Sequence, residues 1–114
     1  MAVYGMNHVA LEVTDIDVAV RFYSEVLGLK RKSGGEGQAF FEMGPHQFLA
    51  LFVVTEKQPD NTRHFGIIVK DDEEIAEVRR KVEKWGLELI PPFACDFRDP
   101  FGNRIQVVDL SVVD

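Results

Sequence analysis

A histidine opens two similar stretches of this chain, and that repetition restricts the fold more than any other feature of the sequence. Asn7-His8-Val9-Ala10-Leu11-Glu12-Val13 begins the first half, and Arg63-His64-Phe65-Gly66-Ile67-Ile68-Val69 begins the second. Each histidine starts a run with β-like alternation. Each run leads into a helical pattern that stops at Gly-Leu, first Gly28-Leu29 and then Gly86-Leu87. Self-similarity over this distance means two copies of one supersecondary unit. The two histidines then hold equivalent places, from which two units would aim them at a shared site.

Module one, about residues 5–54, reads as strand, helix and three strands. In residues 7–13, Val9, Leu11 and Val13 point one way; His8, Ala10 and Glu12 point the other. Asp15 or Thr14 is suited to cap a helix N-terminus. Ala19, Phe22, Tyr23, Val26 and Leu27 then share one helical face, and Gly28 suits a left-handed end. Strands are expected at 29–32, 38–43 and 47–54, separated by Ser33-Gly34-Gly35-Glu36-Gly37 and Gly44-Pro45-His46. Module two, about residues 63–111, repeats the order. Its strand covers 64–69, and its helix runs from about Asp72 to Trp85 with Ile75, Val78, Val82 and Trp85 on the apolar face. Strands follow at about 87–90, 94–98 and 104–110, with Asp99-Pro100-Phe101-Gly102-Asn103 as a strong turn before the last. Thr55 to Thr62 is a polar connector, and 114 residues make a single domain.

Strand parity turns this organisation into a site. If each helix covers the row of Val9, Leu11 and Val13, or of Phe65, Ile67 and Val69, then His8 and His64 lie on the open faces. In the last strand Ile105 and Val107 belong under the helix, so Gln106 and Arg104 face the open side. His8, His64 and Gln106 are expected to converge on one concave surface.

Composition removes several function classes. A net charge of −6 and a pI near 5.0 argue against nucleic acid, which needs clustered Lys and Arg. The longest apolar run, Phe48 to Val54, is too short to span a bilayer. No basic and apolar leader opens the sequence, and the single cysteine, Cys95, permits no intrachain disulfide. These features predict a soluble cytoplasmic protein without membrane or nucleic-acid partners. The glycines at 34, 35 and 37 precede a strand pattern rather than a helix, which rejects a nucleotide-cofactor loop.

The ordered set His8-Val9-Ala10-Leu11-Glu12-Val13, Phe22-Tyr23-Ser24-Glu25-Val26-Leu27-Gly28-Leu29, His64-Phe65-Gly66-Ile67 and Asp99-Pro100-Phe101-Gly102-Asn103-Arg104-Ile105-Gln106 resembles the vicinal oxygen chelate superfamily. That superfamily includes glyoxalase I, bleomycin-resistance proteins, fosfomycin-resistance enzymes and extradiol dioxygenases. The resemblance implies an α+β fold of two βαβββ modules forming a cupped mixed sheet, usually in a homodimer. It implies His8 and His64 as ligands of a divalent metal ion (Zn, Ni, Mn or Fe), with Gln106 at the position where the family pattern places a ligating Glu. The strand at residues 47–54 also lacks the carboxylate that glyoxalase I carries there. A shell of two imidazoles and an amide is neutral, so it attracts a cation less than one with a carboxylate. Glutamine stays unionised and moves no proton.

The remaining candidates are weaker. Glu12 shares a face with His8 and would serve as a base, though a solvated strand end is the commoner fate of such a residue. Cys95 reads as an inert strand thiol, and His46 as an exposed turn residue. Phe40 and Phe41 cannot share a side, so an aromatic-lined cup is expected, suited to a planar or apolar small molecule. Arg98 or Arg104 would pair with an anionic group on it. Two functions follow: a glyoxalase-like, metal-dependent lyase or isomerase acting on a small molecule with vicinal oxygens, or a metal-free small-molecule-binding protein resembling the bleomycin-resistance proteins.

Overall fold

The computed structural model describes residues 2–112. The chain divides into two compact units, Met1–Lys57 and Gln58–Asp114, and the division falls within the polar connector. Among the described residues no helix is long and apolar enough to cross a membrane.

The first unit contains β1 (His8–Val13), α1 (Ile16–Val26), β2 (Lys30–Gly35), β3 (Gln38–Gly44) and β4 (Gln47–Val53). They form one sheet in the order β1-β4-β3-β2, with β1 parallel to β4 and the other pairs antiparallel. Asp15 caps α1, its carboxylate accepting from the Val18 N–H at 3.1 Å. Ala19, Phe22, Tyr23 and Val26 of α1 are buried against Leu11, Val13, Phe41, Leu49 and Leu51 of the sheet. The opposite row, His8, Ala10 and Glu12, is exposed as parity requires.

The expected glycine turn of this unit is strand instead. β2 runs through Ser33, Gly34 and Gly35, and only Glu36 and Gly37 form the turn. A bulge between Arg31 and Ser33 shifts the register. The Arg31 guanidinium then holds the glycine stretch by donating to the carbonyls of Ser33, Gly35 and Gln38. Gly34 has φ +142, and a Cβ there would lie 2.3 Å from the Gln38 carbonyl oxygen. The residue that reads as a loop signal is required for a close strand approach.

The second unit contains β5 (Phe65–Val69), α2 (Asp72–Lys84), β6 (Asp96–Arg98) and β7 (Arg104–Asp109). The sheet order is β5-β7-β6, with β5 parallel to β7. Asp71 caps α2 and accepts from the Glu74 N–H at 3.1 Å. Acidic residues fill the first turn of the helix and Lys81 and Lys84 its last, complementing the macrodipole. Its C-terminus closes with the Leu87 N–H on the Val82 carbonyl and the Gly86 N–H on the Glu83 carbonyl, a Schellman arrangement. The strand expected at 87–90 shrinks to a single bridge, Leu89 to Phe97. Pro91 and Pro92 follow at once and offer no N–H to extend the ladder.

The Asp99–Asn103 turn is built around a buried carboxylate. Asp99 accepts from the Phe101 and Asn103 N–H groups, each at 2.9 Å, and from the Asn103 side-chain amide at 2.9 Å. Gly102 has φ +90, and a Cβ there would sit 2.5 Å from the Pro59 Cα. Cys95 is fully buried, and burial pushes its thiol up to about 11.

Two outcomes test this packing. Gly102→Ala is expected to cost about 2 kcal/mol or more, since left-handed strain and a backbone clash add. Gly35→Ala, with nothing within 4 Å of its Cβ, stays within about 1 kcal/mol in the same urea melts. At pH 8 the Cys95 thiolate is about a hundredfold scarcer in the fold than in the unfolded chain, so a disulfide reagent reacts at least that much slower before denaturant than after. Because the thiol is raised in the folded state, its contribution to stability is complete below about pH 9 and is lost as pH climbs toward 11.

Candidate functional site

His8 stands at the start of β1 with its ring exposed, stacked on Phe48 at 4.6 Å between centroids and 10° between planes. Its Nδ1 lies 2.9 Å from Asn7 Oδ1. The orientation of the Asn7 amide follows from its other contact. Asn7 Nδ2 donates to the His46 carbonyl at 3.0 Å, and a carbonyl only accepts. Oxygen Oδ1 therefore faces His8, the imidazole carries its proton on Nδ1, and the lone pair of the neutral ring sits on Nε2.

His64 reaches the same state by another route. It precedes β5 and is exposed, with Nδ1 2.8 Å from the Thr62 carbonyl oxygen. Nδ1 must donate, so Nε2 again presents the lone pair. Gln106 lies on β7 directly opposite Gly66, half-buried, on the row that continues from His64. His64 and Gln106 thus share one face of the second unit, while His8 belongs to the first unit.

Arg104 does not offer itself to a ligand as expected, and Arg98 is engaged through Nε. Arg104 Nε and Nη2 donate to the two oxygens of Asp96 at 3.0 and 2.7 Å, and Nη1 donates to the Asn61 carbonyl at 2.6 Å. Arg98 Nε donates to the Asp60 carbonyl at 2.7 Å. The carboxylate bonds hold the Arg104 pKa above its usual range. Asp96, only 1% exposed, pairs directly with Gln106 across the β6–β7 ladder. A carboxylate therefore flanks Gln106 although position 106 itself is an amide. Among the described residues no group of three His, Cys, Asp or Glu side chains forms a ready ligand set, a set to which Gln106 does not belong.

On the open face of the first unit Phe40, Phe48 and Phe52 form an edge-to-face cluster with centroids 6.1 and 6.0 Å apart. Phe41 is buried on the other side, as alternation requires. A cleft of about 690 Å³ opens here, lined by Phe40, Phe48, Asn7, Ser33 and the His46 turn, with the Lys32–Glu42 ion pair at 3.2 Å among its walls. His46 is exposed, with φ 63. Glu12 shares the exposed face of β1 with His8 but lies four residues on, roughly 13 Å along an extended strand. It meets a small molecule only at the end remote from His8.

Asn7 and Asp96 adjoin the candidate residues and were not singled out by sequence reasoning. Asn7 immediately precedes the repeated histidine, which was its one visible signal. Asp96 needed the β6–β7 register to be placed beside Gln106.

A family model described as Glyoxalase/Bleomycin resistance protein/Dioxygenase superfamily matches residues 5–107. The chain is 26% identical over 119 residues to an uncharacterized protein of Pseudomonas aeruginosa, covering 89% of this chain and 85% of that one. A possible glyoxalase from Bacillus cereus is 25% identical with a TM-score of 0.76, covering 92% and 98% of the two chains. Lactoylglutathione lyase from Agrobacterium tumefaciens is 23% identical with a TM-score of 0.69, over 99% and 98%. A FosX variant from Listeria monocytogenes complexed with Mn(II) and dihydroxypropylphosphonic acid is 18% identical with a TM-score of 0.78, over 92% and 89%. The last two likenesses establish a common fold. With nearly its whole length matched, the chain belongs to the glyoxalase/bleomycin resistance protein/dioxygenase superfamily.

Proposed function

We propose that this chain binds a divalent first-row metal ion through His8 Nε2, His64 Nε2 and the side-chain oxygen of Gln106, drawn from one chain or from two copies. On this reading it acts as a lyase or isomerase on a small molecule with adjacent oxygens. The pair of Nδ1 hydrogen bonds carries the proposal. Metal-binding imidazoles commonly donate their second N–H to a carbonyl or carboxyl oxygen, which fixes the tautomer and aims the lone pair. Here two equivalent histidines do so with different acceptors, Asn7 Oδ1 and the Thr62 carbonyl. Both rings are exposed, so packing alone does not demand that tautomer.

A bound ion would polarise the oxygens it holds. The chain's own residues would supply the rest of the site. Gln106 orients without carrying a proton. Phe40 and Phe48 receive a flat or apolar portion of the ligand in the cleft beside His8. The FosX relative, which holds Mn(II) with a dihydroxy acid, supports this class of chemistry. A second reading, metal-free sequestration of a small molecule, is favoured by the phenylalanine cluster, in which Phe52 is exposed and Phe40 and Phe48 are half-buried, together with the missing charge at position 106.

Calorimetric titration of tag-free protein separates the two. Zn and Ni are expected to bind one equivalent more tightly than Mn, the order that nitrogen donors impose. His8→Ala and His64→Ala should each abolish binding, and Asn7→Ala should weaken it about tenfold. Absence of any heat or thermal shift with Zn, Ni, Mn or Fe(II) in wild-type protein overturns the metal reading and leaves sequestration. Gln106→Glu is expected to tighten metal binding while lowering the melting temperature of the metal-free protein, because a half-buried charge replaces an amide beside an ion pair that is already balanced.

A further inference from the structure

We propose that Arg104, oriented by Asp96, is a positioning residue for His64: it fixes the connector whose main-chain carbonyl sets the tautomer of that imidazole. The functional meaning of this inference rests on the metal reading above; its physical content does not.

The acceptor for His64 Nδ1 is the Thr62 carbonyl, so no side chain at position 62 can provide or remove it. What matters is what holds the peptide in place. The connector lies outside the ladders until Phe65 pairs with Ile105. Before that point it is tied at successive atoms. The Asp60 N–H donates to the Gly102 carbonyl at 2.8 Å, Arg98 Nε holds the Asp60 carbonyl at 2.7 Å, and Arg104 Nη1 holds the Asn61 carbonyl at 2.6 Å. The Arg104 bond therefore falls on the residue immediately before Thr62.

Arg104 can act this way because its own geometry is fixed. Two of its nitrogens engage both oxygens of Asp96, and that carboxylate is 1% exposed. A planar guanidinium gripped along one edge aims its remaining N–H in one direction. Arg104 also stands two positions before Gln106 on β7. One side chain thus ties the carbonyl run leading to one proposed ligand to the strand that carries another. A lysine in its place would keep the charge against Asp96 but lose the fork.

The first readout needs no metal and no turnover. Long-range proton–nitrogen correlation spectra of metal-free protein labelled with nitrogen-15 histidine are recorded at about pH 8, above the ordinary histidine range. Wild-type His64 is expected to show the Nδ1–H tautomer. In Arg104→Lys and Arg104→Gln its ratio to the Nε2–H form should fall about fivefold, the worth of one hydrogen bond. His8, held by Asn7, should keep its tautomer in both variants, which a general loosening of the protein would not allow. The zinc affinity of each variant should fall about tenfold. A wild-type His64 in the Nε2–H form overturns the proposal, as does an unchanged ratio in folded Arg104→Lys; that variant decides alone if Arg104→Gln does not fold. If the tautomer shifts as expected but wild-type protein binds no zinc, the positioning role stands and the metal reading falls.

Discussion

The parallel pairing of the first strand of each unit with its last, β1 with β4 and β5 with β7, governs the rest of the structure. Parallel neighbours cannot be joined by a hairpin, so the intervening chain must cross over. In each unit the crossover carries a helix, which covers one sheet face and leaves the other to the alternate row. The register is then held by burial. Phe22, Tyr23, Phe41, Leu49 and Leu51 are fully buried, each worth about 1.5–3 kcal/mol. A one-residue slip would exchange Phe41 with Phe40 and Val9 with His8. No exposed contact of about 0.5 kcal/mol competes with that sum. The histidines face outward because the core faces inward.

That dependence explains what could be read from the sequence. Alternation placed His8, Ala10 and Glu12 on the exposed row and Phe40 opposite Phe41, because a period of two needs no knowledge of partners. The cap at Asp15 and the helix ends at Gly28 and Gly86 are equally local. What escaped depends on contacts between distant positions. Ser33-Gly34-Gly35 looks like a loop, since the Arg31 side chain and the bulge that make it strand appear only once β2 meets β3. The strand expected at 87–90 is reduced to the Leu89–Phe97 bridge and the Ile90 N–H on the Asp96 carbonyl, and Pro91 and Pro92 stop the ladder from continuing past it. The Thr62 carbonyl leaves no trace in sequence, since every residue has one. Arg104 reads in sequence as a partner for an anion, and its guanidinium is occupied by Asp96, a contact between positions eight residues apart.

The same pair accounts for the amide at position 106. Asp96 and Gln106 are direct cross-strand neighbours on one face. A glutamate at 106 would add a half-buried charge beside an ion pair that is already balanced, and that charge would carry a desolvation cost. Arg104 and Asp96 already complete each other's hydrogen bonds through both carboxylate oxygens, so the new charge would have to be met by solvent or by an ion. With glutamine the face stays electrically balanced whether or not an ion is present. In the proposed set of two imidazoles and an amide, attraction then depends on nitrogen donors rather than charge. That shell discriminates by donor softness and geometry, which favours Zn or Ni over the harder Mn that a carboxylate would recruit. The departure from the family pattern at one position and the buried ion pair beside it are two parts of a single electrostatic arrangement.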